Sequence, residues 1–183
     1  MAVELQIAKL IFINNKNSRF ISRNKSSRTP DIEIPLLDKS VFLEIKSRRE
    51  DIPTDGNWLW DRLEEASSQL KNSPIAQNAP TGIFLRVGPY LKNSFNANAD
   101  GERLANEFFS NNPHVNFIHL VWENWIVNSN GSGGYMIKFK QFDNPKPLHP
   151  ISGTDLFIKE VSSISISYDG TYLPYAYLKT IKK

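Results

Sequence analysis

The sequence predicts an α/β fold: a mixed β-sheet flanked by helices, with extra strands at the C-terminal end. Three observations predict it. Residues 31–46 (DIEIPLLDKSVFLEIK) place β-branched and aliphatic residues on both sides of a polar, turn-prone centre, as a β-hairpin does. Apolar residues recur at helical spacing in 58–72 and again in 100–110. Runs rich in strand formers at 82–87 and 115–127 read as central strands of a sheet. The order hairpin, helix, strand, helix, strand fits a mixed sheet with helices packed against it.

Each element has its own signal. Val3, Ile7, Leu10 and Ile11 recur at helical spacing, so an amphipathic helix is expected at the N-terminus, with Glu4 at the border of its stripe. Residues 14–28 (NNKNSRFISRNKSSR) form a basic polar stretch around one short strand at 19–21. The hairpin is expected to turn at Asp38-Lys39. That puts Phe42, Glu44 and Lys46 on one face of its second strand and Val41, Leu43 and Ile45 on the other. It also brings Asp31 opposite residue 45 or 46, within a residue, and so near Glu44. In the first long helix Leu59, Leu63, Ala66 and Leu70 make the apolar stripe, with Gln69 beside it. In the second, Leu104, Phe108 and Phe109 do so. Residues 135–142 alternate, Ile137 and Phe139 against Lys138 and Lys140, and a lysine face is expected at a sheet edge or in solvent, with a DNA-facing role as the alternative. Residues 143–150 carry three prolines and read as a connector before two late strands at 156–167 and 171–179. One domain is expected over 1–183, with a core to about residue 142 and a C-terminal β extension over 143–183.

Composition excludes several function classes. Apolar content of 40%, with four Trp and eleven Phe, supports a real core. No apolar run approaches the roughly 18 residues of a membrane span. Gln6 and Lys9 interrupt the apolar residues 5–13, and no small-residue cleavage site follows, so no secretory signal is expected. Cysteine is absent, which removes disulfides, thiolate metal sites and a cysteine nucleophile and fits a cytoplasmic protein. There is no GxxxxGK[ST] or GxGxxG, so no nucleotide cofactor is implied. His114, His119 and His149 lack metal-ligand spacing, and His119 is expected to pack in the sheet. Asn130-Gly131-Ser132 matches a glycosylation acceptor but reads as part of a turn. Trp122 and Trp125 are expected in the core. Trp58 and Trp60 read as staples at a helix start, or as a stacking surface for a base.

Charge is uneven. Residues 1–49 hold ten Lys/Arg against five Asp/Glu, while the remainder holds twelve against fourteen. The positive end also holds Asp31, Glu44 and Lys46. Two carboxylates suit a hard divalent cation, which lowers the pKa of a bound water and polarises a phosphate. A lysine beside them can orient the attacking water or offset developing charge. Arg19, Arg23, Lys25, Arg28 and Arg48 would neutralise a phosphate backbone. On charge alone the same stretch reads equally well as a solvated loop.

Glu4 on a helix, Pro30-Asp31, Glu44-Ile45-Lys46 and Gln69 on the following helix occur in an order that resembles the PD-(D/E)XK nuclease superfamily. The resemblance covers residues 1–90 and implies a restriction-endonuclease-like fold. It implies that Asp31 and Glu44 bind Mg2+ (or Mn2+), with the carbonyl of Ile45 completing the shell. It makes Lys46 the catalytic lysine, Glu4 an auxiliary acid acting through water, and Gln69 a residue that places substrate or the lysine. The activity implied is that of a metal-dependent endonuclease acting on DNA, without a membrane partner, as a homodimer or with a protein that supplies specificity. Two alternatives stand beside it: a non-catalytic nucleic-acid-binding module of a larger complex, and an RNA-directed nuclease of the same fold.

Overall fold

The computed structural model describes residues 11, 17–22, 28–47, 56–86, 99–127, 133–151 and 160–167, with the backbone alone at 56, 122–127, 133–139 and 160–167. Among the described residues seven strands form one sheet: β1 (Arg19–Phe20), β2 (Ile32–Pro35), β3 (Ser40–Ser47), β4 (Thr81–Arg86), β5 (Val115–Val127), β6 (Gly133–Asp143) and β7 (Glu160–Ser167). Their order in the sheet is their order in the chain. Helix α1 (Gly56–Lys71) joins β3 to β4, and α2 (Ala99–Asn111) lies between β4 and β5. The fold is therefore the α/β mixed sheet expected from the pattern.

Pairing follows from the connections. β1, β2 and β3 are antiparallel, as are β5, β6 and β7. β3, β4 and β5 are parallel, and these are the joints with a helix in between. Parallel neighbours need such a crossover, and crossovers have one favoured hand. Two crossovers stepping the same way put both helices on the same face of the sheet. There Leu59, Leu63, Ala66 and Leu70 of α1 and Ala105, Phe108 and Phe109 of α2 pack on Phe42, Ile83, Leu85, Ile118 and Leu120. Leu59, Leu63 and Leu70 are completely buried, and each contributes about 1.5–3 kcal/mol of hydrophobic stabilisation. On the opposite face Val41, Leu43 and Ile45 pack with Ile32, Ile34, Phe84 and Phe117. Ile11 is helical and fully buried against that face. The rest of the expected N-terminal helix, Glu4 included, lies outside the described residues, as does the expected strand at 171–179.

Some expectations shift. The hairpin turns at Leu37-Asp38, one residue earlier than the polarity of Asp38-Lys39 suggests. Pro35 ends β2, the Leu36 N–H donates to the Lys39 carbonyl at 2.8 Å, and Ile32 pairs with Leu43. Asp31 accordingly lies level with Glu44. The lysine face of β6 is not at an edge, because β7 covers that side. Lys140 pairs with Glu102 of α2 at 2.9 Å, and its side chain is 17% exposed. Gly82 has a steric role: a Cβ there would lie 2.2 Å from the Phe117 ring, which meets Phe84 edge-on.

Polar bonds clamp α1 to the start of β5. Ser67 donates to Asn112 Oδ1, and Asn112 Nδ2 donates to Glu64 Oε1 at 2.9 Å. His114 Nε2 lies 3.1 Å from Ser67 Oγ and 3.2 Å from the Ser67 carbonyl. A carbonyl only accepts, so Nε2 carries the proton and His114 is a donor to Ser67 rather than its base.

His119 packs within the sheet as expected, stacked on Phe84 at 4.6 Å. Burial pushes its pKa down from 6.5 to about 4, partly offset by a bond to Gln141 and the charge of Asp143. The folded protein keeps His119 neutral while the unfolded chain protonates it below about 6.5. Its contribution is thus complete above pH 6.5 and is lost as pH falls towards 4, a loss of about 3 kcal/mol. Urea unfolding between pH 7 and 4 should show this slope, and His119→Phe should flatten it. Burial also lowers the pKa of His114, so a smaller slope of the same sign should persist in that variant. An unchanged slope in His119→Phe would rule out His119 as its source.

Candidate active site

The site lies between β3 and α1. Alternation along β3 sends Phe42, Glu44 and Lys46 towards α1, while Val41, Leu43 and Ile45 pack on the far side. The apolar stripe of α1 faces the sheet. Arg62, Glu65 and Gln69, spaced three and four residues apart on its flank, come down beside the end of β3. The segment before β2 closes the third side. The Asp31 N–H donates to the Leu43 carbonyl at 2.9 Å, and the Ile21 N–H donates to the Asp31 carbonyl at 3.0 Å.

Four of the five residues assigned catalytic roles from sequence come together. Gln69 is the hub. Its Nε2 donates to Glu44 Oε2 at 2.8 Å and to the Thr29 carbonyl at 2.9 Å. Its Oε1 accepts from Lys46 Nζ at 3.2 Å. Lys46 Nζ also lies 2.9 Å from Glu44 Oε1 and 3.1 Å from Glu65 Oε1. Asp31 Oδ2 accepts the Ile45 N–H at 2.8 Å, which holds its carboxylate against the backbone next to Glu44. The fifth residue, Glu4, lies outside the described residues.

Burial sets the electrostatics. The Glu44 side chain is 2% exposed and that of Lys46 14%. Burial is the largest influence on Lys46 and lowers its pKa, but the charges and hydrogen bonds of Glu44 and Glu65 outweigh it, so the pKa is raised. Lys46 is held as an ammonium, a donor and a positive charge rather than a base.

The donor chemistry suits a hard cation. Asp31 and Glu44 offer carboxylate oxygens at neighbouring positions, and Mg2+ typically takes one or two carboxylates and keeps several waters. Among the described residues no group of three or more His, Asp or Glu forms an all-protein cage.

The basic residues are only partly placed. Arg19 is paired with Glu33 at 2.8 Å, although its side chain is 69% exposed. Arg28 Nη1 donates to Ser68 Oγ at 2.9 Å, which ties the end of the basic stretch to α1 beside Gln69. Arg23, Lys25 and Arg48 lie outside the described residues. Sequence reasoning missed Glu65, Arg62 and the Thr29 carbonyl. Glu65 lies one turn before Gln69 and one turn after Arg62, a spacing that marks a shared helix flank. Among the described residues no helix is long and apolar enough to cross a membrane. No protein-family model, curated protein or solved structure matches the chain.

Proposed function

We propose that the protein is a metal-dependent nuclease that hydrolyses phosphodiester bonds, acting as an endonuclease on DNA. One observation carries this reading. Glu44, Lys46 and Gln69 form one hydrogen-bonded group across two segments, and Asp31, from a third, is held by the Ile45 N–H level with Glu44. A carboxylate as buried as that of Glu44, beside a largely covered ammonium, is costly to maintain unless it serves a purpose.

The geometry and the resemblance support the following roles. Asp31 and Glu44, with the Ile45 carbonyl, would hold Mg2+ or Mn2+, which supplies a Lewis acid for the phosphate and a bound water of lowered pKa. Gln69 fixes the Glu44 carboxylate through one amide end and Lys46 through the other, so neither must reorganise when substrate arrives. The Lys46 ammonium would offset the charge that develops on the pentavalent phosphorus. Arg28, anchored beside Gln69, would neutralise a neighbouring phosphate. The PD-(D/E)XK resemblance supports the same reading.

The test is incubation with supercoiled plasmid, single-stranded DNA and RNA, each with Mg2+, Mn2+ or EDTA. Nicking or linearisation of plasmid with metal and none with EDTA is the expected result. Cleavage of RNA alone would replace DNA as the substrate. Metal-dependent tightening of DNA binding without turnover would replace the enzyme with a binding module.

A further inference from the structure

An ammonium has three N–H donors, and among the described residues three side chains surround that of Lys46. Glu44 and Gln69 supply two of the acceptors and belong to the group already described. The third is Glu65 Oε1 at 3.1 Å, from the turn of α1 before Gln69. Glu65 has a second anchor, because its Oε2 accepts from Arg62 Nη1 at 2.6 Å. A chain of charges therefore runs Arg62, Glu65, Lys46, Glu44, from the partly exposed flank of α1 into the buried end of β3.

We infer that Glu65 is a positioning residue for Lys46, with Arg62 fixing Glu65 in turn. This inference rests on the nuclease reading of the same site. An exposed ion pair of this kind adds little to stability, and the Glu65 side chain is 48% exposed. Its effect is on geometry. Glu44 holds the ammonium from β3, and Gln69 and Glu65 hold it from successive turns of α1, so the lysine has one position instead of a range. Without Glu65 the ammonium is drawn towards Glu44 and away from where its charge would face the phosphate. Displacements of about 1 Å can cost a reaction around 100-fold.

The test compares Glu65→Ala, Glu65→Gln and Lys46→Ala with wild type in steady-state cleavage, alongside 1H–15N detection of the lysine ammonium groups. Glu65→Ala should lower kcat by about 10- to 100-fold with KM for DNA little changed. Glu65→Gln keeps an oxygen acceptor and should recover most of that loss. The ammonium signal of Lys46, assigned by its absence in Lys46→Ala, should be seen in wild type, because hydrogen bonding slows its exchange, and should broaden in Glu65→Ala. If wild type cleaves, Lys46→Ala does not, and Glu65→Ala keeps its kcat, the inference is overturned while the nuclease reading stands. If wild type cleaves nothing, both fall. A loss in Glu65→Ala that appears in KM alone would make Glu65 a binding residue and overturn the positioning role.

Discussion

Lys46→Ala is expected to reduce phosphodiester cleavage by about 1,000-fold or more while the protein stays folded and still binds DNA. The lysine is the cationic donor of the group, and its ammonium lies within 3.2 Å of Glu44, Glu65 and Gln69. The fold does not depend on it, since the core clusters on the two sides of β3 are built from its other residues. Stability should nevertheless drop, because Glu44 is 2% exposed and loses its counter-charge. A cooperative thermal melt at lower temperature, with an unchanged far-UV spectrum, would separate lost chemistry from lost structure. Cleavage at the wild-type rate by a folded Lys46→Ala protein would end the proposed mechanism.

The second large effect concerns stability. Glu44→Ala leaves the Lys46 ammonium only 14% exposed and without its closest partner, and with Glu65 and Gln69 still accepting from it the loss should be about 1–3 kcal/mol. Replacing both members by leucine should behave differently. The site lies beside Phe42 and the apolar stripe of α1, so two leucines would extend an existing apolar surface. Such replacements are often neutral or stabilising by about 1–4 kcal/mol. The expected order of urea midpoints is therefore Glu44→Ala lowest, wild type higher, and Glu44→Leu/Lys46→Leu equal to wild type or above it. The double variant should have lost divalent-cation binding by calorimetry. A double variant as unstable as the single one would mean that the pair is there for folding, and would remove the energetic argument that this site is kept for chemistry.

The sequence by itself determined the elements and their order. Hydrophobic period is a local property, so the hairpin, both helices and the strands at 81–86 and 115–127 were legible without a structure. The pairing of Glu44 with Lys46 on one strand face was legible for the same reason, since alternation alone puts them together. Gln69 was singled out by the resemblance, the residues themselves placing it only beside the helical stripe. Tertiary structure decided what depends on the packing of one element against another. The hairpin register needed the turn closed at Leu36 and Lys39. Glu65 became a partner of Lys46 only once α1 settled its apolar stripe on the sheet and one flank came down over β3. Arg19 looked like a phosphate ligand by charge, yet β1 pairs beside β2 and gives it Glu33. Lys140 looked solvent-facing by alternation, yet α2 crosses above it and brings Glu102. A charge announces itself in sequence, but its partner is set by contacts between residues far apart in the chain.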